Sequence, residues 1–343
     1  MKKSFVYPSE LVPGMKIAET ILNDYGAIVM SEGTVLDDNL INKIKNVGVY
    51  RLQIFDEQDK KVEINNVFEQ KYDENVKKVK GIISEISNGG DLNATQIDNV
   101  VDSVLEKSQE RSDIVSCLNQ IRSSDDYTYS HSVNVSLVSM LIGRWMKLDD
   151  EKIRLLVQAG LLHDIGKTKV PIEILNKPGK LTKEEFEEMK KHTVYGYRIL
   201  EKVPNISKEV MAAVLMHHEK EDGSGYPTGL TGEKVNLLAK IVSVADVFDA
   251  MTSNRVYKEK ESPFEVFRYM EEESVGKLNT VAVNVLLNNI ASYYIGDRVR
   301  LSSGDIAEII YINPRCVSKP IVKVGDKYID MYIAKDVKIK EFV

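Results

Sequence analysis

Two cysteines in 343 residues, Cys117 and Cys316, stand far apart and form no C-x-x-C pair. That excludes a disulfide framework and a cysteine-based zinc site. Long apolar runs are missing as well, since no stretch approaches the roughly 18 to 20 apolar residues of a membrane span. The start, Met1-Lys2-Lys3-Ser4-Phe5-Val6-Tyr7-Pro8, is basic like a signal peptide but lacks the apolar stretch that should follow. Nor is positive charge in excess: 46 basic and 52 acidic residues give a net charge of -6, which argues against a surface that coats DNA or RNA. Phosphate binding should then be local, and a cytoplasmic protein is expected. Histidine is scarce too, with only His131, His163, His192, His217 and His218. Each lies in or beside a predicted helix, with polar or glycine-containing sequence nearby.

The length suggests about two to three compact units. Residues 1–57 read as a small α+β domain: Met15–Ala18, Ala27–Met30 and Val49–Ile54 as strands, turns at Pro13-Gly14 and Glu32-Gly33, and a helix from Asp37 to Val47 with Leu40, Ile41 and Ile44 at helical spacing. It holds no cluster of titratable residues. Residues 58–123 read as long charged helices broken at Asn88-Gly89-Gly90, with Ile97, Val101, Val104, Leu105, Ile114, Leu118 and Ile121 on one face. That face suits a connector packed on the next domain, and a dimerising helix pair stays open.

Residues 124–291 are nearly all helix. His131 opens an apolar helix that runs to Trp145, and Glu151 to Leu162 delivers His163 and Asp164. Thr182 with Glu185 forms a capping box that starts the helix expected to carry His192. Val210 to Met216 ends in His217-His218, Leu237 to Met251 carries Asp246, and Ser262-Pro263 with Glu265 starts another helix. Residues 292–343 return to strand signals at Arg298–Leu301, Ile306–Ile310 and Ile321–Val324, a small antiparallel sheet without a site. The fold class is therefore mainly α, with an α+β N-terminal domain and a short β-rich C-terminal tail.

Leu161-Leu162-His163-Asp164-Ile165-Gly166-Lys167 is the centre of the chain: an apolar helix ends in an imidazole and a carboxylate, with a lysine three residues later. Imidazole and carboxylate suit borderline and hard divalent metals, and a carboxylate can bridge two. Phosphodiester hydrolysis on two metals needs roughly six or seven ligands with one bridging carboxylate. His131, His163, Asp164, His192, His217, His218 and Asp246 make seven. Asp246 interrupts the apolar run Ala239–Phe248, where a carboxylate should be paired or metal-bound. The pair His217-His218 can converge only if its helix ends there, and Gly223 and Gly225 place a loop just beyond. Asp249, one turn past Asp246, suits an orienting role toward Lys167 or a ligand. Lys167 should lie near a bound phosphate, where its cation offsets developing negative charge. Ligands of this kind suit iron or manganese, while zinc, cobalt or nickel fit the same donors. A third metal would need a carboxylate one turn before His131, where Tyr127 stands, so two are expected.

The order His, His-Asp, His, His-His, Asp, followed by Gly225-Tyr226-Pro227, resembles the HD-GYP family of metal-dependent phosphodiesterases, within the wider HD hydrolases. The resemblance covers about half the chain. It implies an all-helical HD-type catalytic domain with two divalent ions, iron or manganese. Asp164 would bridge them, His163, Asp246 and His131 serving one and His192, His217 and His218 the other. Catalytic roles fall to Asp164 and Lys167. Substrate contacts fall to Lys167, Arg255, Lys258, Gly225, Tyr226 and Pro227. The implied reaction opens cyclic di-GMP to linear pGpG, with a second cut giving GMP, by a hydroxide bridging the two metals. Another cyclic dinucleotide such as cyclic GMP-AMP, or a regulator that binds without hydrolysis, remains an alternative. A homodimer and a signalling-protein partner are left open.

Overall fold

The structure, a computed structural model, describes residues 3–6, 8, 11–22, 28–47, 52–55, 64–107, 127–252, 262–272 and 274–343. The chain divides into two compact units, residues 1–71 with 107–119 and residues 72–106 with 120–343.

In the first unit β1 (Lys3–Val6) pairs antiparallel with β4 (Leu52–Phe55), and β2 (Ile21–Leu22) with β3 (Ile28–Met30). Between them α1 (Asp38–Val47) starts at Asp37, whose carboxylate accepts the Leu40 N–H at 2.8 Å. The expected helical spacing is used as a core face: Ile41 and Ile44 are buried with Ile17, Met30, Leu36 and Leu52. The strand expected over Met15–Ala18 is reduced to isolated bridges, Lys16 to Val35 and Ile17 to Ile54. Its hydrogen bonds are split between two neighbours: Ile17 N–H goes to Thr34 and Ala18 N–H to Gln53, so no continuous ladder forms on either side. β1 and β2 carry no alternation long enough to be anticipated. Ala27 and Val49–Arg51 lie outside the described residues.

The second unit begins in α2 (Ile64–Ser87), which turns at Asn88-Gly89 into α3 (Ala94–Lys107). Gly89 has φ +89°, the left-handed turn that the Asn-Gly-Gly signal demands. Residues 72–106 pack inside this unit rather than apart from it. Ile97, Val101 and Val104 are buried, and the Tyr72 hydroxyl donates to Asn134 at 2.8 Å. Ile114, Leu118 and Ile121 lie outside the described residues.

The unit is built round α4 (Tyr127–Trp145), buried without a break from Ser130 to Gly143 and apolar or small on every side except at His131 and Asn134. Against it pack α5 (Asp150–Leu162), α10 (Leu237–Thr252) and α12 (Thr280–Ala291). A 3-10 turn (Ile165–Lys169) and α6 (Ile172–Leu175) lead to α7 (Lys183–Lys190), α8 (His192–Leu200) and α9 (Lys208–Met216), and α9 closes on α5, α8 and α10. Next comes α11 (Pro263–Glu272), which has proline at its first position as expected.

Five antiparallel strands finish the chain: β5 (Arg298–Leu301), β6 (Ile306–Asn313), β7 (Cys316–Val324), β8 (Lys327–Asp330) and β9 (Ile339–Phe342), in the order β8-β7-β6-β5-β9. The strand expected only from Ile321 starts at Cys316 and runs through Pro320. The β6–β7 register shifts on either side of Tyr311, the partner of Ile321, so the ladder is irregular where proline offers no N–H. α11 holds this sheet through Glu271, whose carboxylate accepts from Val317 N–H at 2.6 Å and from the Ser318 hydroxyl. No described helix is long and apolar enough to cross a membrane.

Candidate metal centre

Three helix ends supply histidines by the same local device. The last carbonyls of a helix have no intrahelical partner, and a ring N–H can take one. α5, started by the Asp149 carboxylate on Lys152 N–H at 2.8 Å, ends with His163, whose Nδ1 lies 2.8 Å from Gly160 O. α9 ends with His217, Nδ1 2.8 Å from Val214 O. His192 sits 2.7 Å from Met189 O, three residues back like the others. A carbonyl only accepts, so each Nδ1 carries the proton and each Nε2 presents a lone pair.

His192 departs from the expected position. The Thr182–Glu185 capping box forms, with Glu185 N–H on Thr182 Oγ1 at 3.2 Å and Thr182 N–H on Glu185 Oε2 at 2.7 Å. Yet the helix it starts stops at Lys190, and His192 opens the next one. The Lys191 N–H closes back on Glu188 and Met189, and the freed carbonyls go to side chains: Met189 O to His192 and Lys190 O to Thr193. The break turns His192 inward.

These segments converge on Asp164, nearly enclosed two residues past the end of α5, with φ -101° and ψ 6°. Its Oδ2 faces one histidine set, His163 Nε2 at 3.3 Å and His131 Nε2 at 3.8 Å. Its Oδ1 faces the other, His192 Nε2 at 3.4 Å and His217 Nε2 at 4.0 Å. His218 belongs with this second group, its ring centroid 4.1 Å from that of His217 because the helix stops between them. Asp246, from α10, lies 3.1 Å from His131 Nε2 and 4.0 Å from His163 Nε2. Asp249, one turn on, takes His131 Nδ1 at 2.7 Å. Of the two partners expected for it, the ligand is the one it holds. Lys167 reaches back to Asp164 Oδ2. Gly166 permits this crossing, since a Cβ there would fall 1.9 Å from His192 O.

The donors fit a cation. His163 Nε2 and Asp164 Oδ1 are buried without a hydrogen-bond partner among the described residues, a costly arrangement unless something else neutralises their lone pairs. His192 Nε2 and His217 Nε2 face each other at 3.4 Å although both lack a proton. Ligands held at about 2.0–2.2 Å from one ion stand roughly 3–3.5 Å from one another, and the nearest donor pairs match this: Asp246 to His131 at 3.1 Å, Asp164 to His163 at 3.3 Å and to His192 at 3.4 Å. Two groups bring their ligand atoms within 4.8 Å of one another, His131-His163-Asp164 and Asp164-His192-His217-His218, with Asp164 in both.

Protonation follows the same division. Burial opposes the charged form of Asp164, but the Lys167 ammonium and the His163 and His192 rings outweigh it and hold the carboxyl well below its ordinary range. Asp246 is likewise lowered against its burial by His131 and His163. Burial also works against the His131 cation, but Asp246 and Asp249 raise it well above the ordinary value. Burial dominates for the second histidine set: His192 and His217 are lowered, and His218 falls to about 4.

The chain has known relatives. Residues 114–278 match the HD domain family. The chain's similarity extends to Cyclic di-GMP phosphodiesterase PA4108 of Pseudomonas aeruginosa, 37% identical over 236 residues, 69% of this chain and 57% of that protein. It also reaches 3'3'-cGAMP-specific phosphodiesterase 1 of Vibrio cholerae, 36% identical over 177 residues, 51% of this chain and 41% of that protein. The chain thus spans about half the length of the curated relatives it matches. In fold it is similar to Bd1817, an HDG"Y"P protein from Bdellovibrio bacteriovorus, with a TM-score of 0.55 at 19% identity over 83% of this chain and 98% of that one.

Beside these histidines lies the Gly225-Tyr226-Pro227 loop. A Cβ at Gly225 would fall 2.4 Å from the Glu219 Cα and 2.5 Å from His218 O, so only glycine lets the loop press on the histidine pair. Tyr226 donates its N–H to His218 O at 3.2 Å, and its ring sits 4.7 Å from the His218 ring and 6.5 Å from Phe186. The Tyr226-Pro227 peptide is cis. Arg255 and Lys258 lie outside the described residues.

Sequence reasoning missed Glu219. Buried directly after the histidine pair, its carboxylate accepts Thr228 N–H at 2.7 Å, the Thr228 hydroxyl at 2.6 Å, and the N–H groups of Gly229 and Leu230 at 3.1 Å each. It ties the far side of the loop to the metal-facing side. An acid immediately after two histidines and ahead of a glycine-rich loop was the available signal.

Proposed function

We propose that this chain is a metal-dependent phosphodiesterase that hydrolyses cyclic di-GMP. The observation that carries the reading is Asp164, whose two oxygens face two different sets of histidine nitrogens. A carboxylate so placed suits two ions, and neighbouring ions of this kind suit phosphodiester hydrolysis. When bound, two divalent metals would neutralise the phosphoryl oxygens and make water nucleophilic near pH 7.

His131, His163 and Asp246 would hold one ion and His192, His217 and His218 the other, with Asp164 between. Iron or manganese suits this donor set, which has nitrogen and carboxylate but no sulfur. Asp249 would keep His131 turned with Nε2 toward the ion. Lys167, partly exposed beside Asp164, would place its ammonium near the phosphate and offset charge that grows as the bond to the leaving oxygen breaks. Arg255 and Lys258 would bind phosphate oxygens, and Tyr226 would form the wall beside the second ion. Water adds to phosphorus, the ester bond to a ribose oxygen breaks, and that oxygen takes up a proton, giving pGpG; a second cut would give GMP. Such a substrate places the protein in the cytoplasm.

A second substrate, cyclic GMP-AMP, is favoured by the similarity to the cGAMP-specific relative. One experiment addresses both. Protein purified anaerobically and loaded with iron or manganese is given each dinucleotide, beside an Asp164→Ala control. Turnover of cyclic di-GMP that vanishes in the control supports the reading, and faster turnover of cyclic GMP-AMP would replace its substrate. Tight nucleotide binding without hydrolysis, at two bound ions per chain, would overturn the enzyme in favour of a binding regulator.

A further inference from the structure

On another face of the same helices lies a cavity of about 330 Å³, lined by Ile86, Leu92, Lys169, Arg198, Ile199 and Lys202 among others. The volume falls in the range of small-molecule sites, roughly 300–1,000 Å³. Its floor is apolar, with Ile86 and Leu92 buried at the α2–α3 turn. Its rim carries three cations against one carboxylate, Asp91. None of the three forms an ion pair: Lys169 donates to Ile86 O at 3.2 Å, and neither Arg198 nor Lys202 has a side-chain partner among the described residues. Elsewhere in the unit, Lys152, Arg154, Lys177 and Arg268 are each held by a carboxylate. In a chain of net charge -6, three cations around one apolar hollow make a local anion-binding surface.

We propose that this cavity is a second ligand site, separate from the metal centre, for a phosphate-bearing small molecule with a planar or apolar body, of nucleoside monophosphate size. The Arg198 guanidinium offers paired N–H donors to phosphate, Lys169 and Lys202 add charge, and the apolar floor takes the body. The walls connect it to the candidate centre. Lys169 ends the 3-10 turn that carries Lys167, while Arg198 and Ile199 lie two turns along the helix that His192 opens. A ligand here that shifts either segment would change the metal centre, and occupation of the centre would change its affinity in return.

The test is calorimetric titration of GMP, inorganic phosphate and guanosine at 150 mM KCl into the metal-loaded full chain and its Arg198→Glu/Lys202→Glu variant. Both substituted residues are exposed, and melting temperature and metal content report whether the variant is folded and loaded. GMP is expected to bind wild type at one more site than the variant, or at a shared stoichiometry with at least tenfold higher affinity, while guanosine and phosphate alone bind more weakly. Equal GMP binding by the two proteins would overturn the site, as would binding of phosphate as tight as that of GMP. The readout is binding, so it stands apart from whether the protein hydrolyses cyclic di-GMP.

Discussion

The two halves of the histidine cluster share Asp164 and little else. On one side His131 is enclosed by two carboxylates, Asp246 at 3.1 Å and Asp249 at 2.7 Å. On the other, His192 and His217 are buried against backbone carbonyls, and His218 completes a pocket in which the pull of Asp164 and Asp246 does not overcome burial. The first half is compensated by its own carboxylates, so that His131 can keep a proton. The second is neutral, a set of lone pairs made available by desolvation. One site thus reaches the same ligand geometry by two electrostatic routes.

The largest test removes what the halves share. Asp164→Ala should lose both ions, read as metal per chain, and cost turnover roughly 10³-fold or more, about 4 kcal/mol of barrier. Retention of one full ion would show that the halves are independent sites. A sharper test acts on one half only. Asp249→Asn leaves all the proposed ligands in place but weakens the acceptor on His131, and should lower affinity for one ion about 10–100-fold. Competitive chelation should resolve two classes of ion in this variant. Equal weakening of both ions would refute the division. No side-chain substitution does the same to His217, because its orienting partner is the Val214 carbonyl.

That difference also explains what could be read from the chain. Asp246 and Asp249 are legible because a charged side chain in the apolar run of α10 has no use for the core, and helical periodicity puts both on one face. The end of α9 at His217 was legible from the glycines beyond it. The stop at Lys190 was not: Lys191 and His192 are compatible with a continuing helix, and the break depends on side chains taking the carbonyls of Met189 and Lys190. Gly166 carries no local signal, since its reason is the His192 carbonyl from another segment. Glu219 reads as one more acid in the charged run Glu219-Lys220-Glu221-Asp222, and only the folded loop shows its four donors. In the first unit the buried face of α1 was visible as spacing, while Met15–Ala18 failed as a strand because its partners alternate.

Glu219 allows a smaller perturbation of the second half. Glu219→Gln keeps the size but loses the charge that four donors share, and should cost about 1–3 kcal/mol of stability, read by urea unfolding. Metal content should hold at two ions. If the Gly225-Tyr226-Pro227 loop is instead needed to retain the second ion, that ion alone will be lost, tying the loop to one half of the cluster.

The smallest effect is a pH dependence in which the halves oppose each other. In metal-free protein, His192, His217 and His218 are held below the ordinary 6.5, His218 at about 4. The unfolded chain binds protons at these positions near pH 6.5 while the folded one does not, so their share of stability falls as pH drops from about 7 toward 4. His131 has the opposite sign: raised in the fold, it contributes stability that is full below 6.5 and lost as pH rises through its folded value. The lowered Asp164 and Asp246 contribute above the ordinary 3.8 and lose this only as pH falls below it, outside the window. Three histidines against one predict a urea midpoint that is modestly lower at pH 5 than at pH 7. His218→Asn should flatten that slope and His131→Asn should steepen it. Slopes that move the same way in both variants would mean that the two halves do not differ in charge, and that the neutral pocket around His217 is not what separates them.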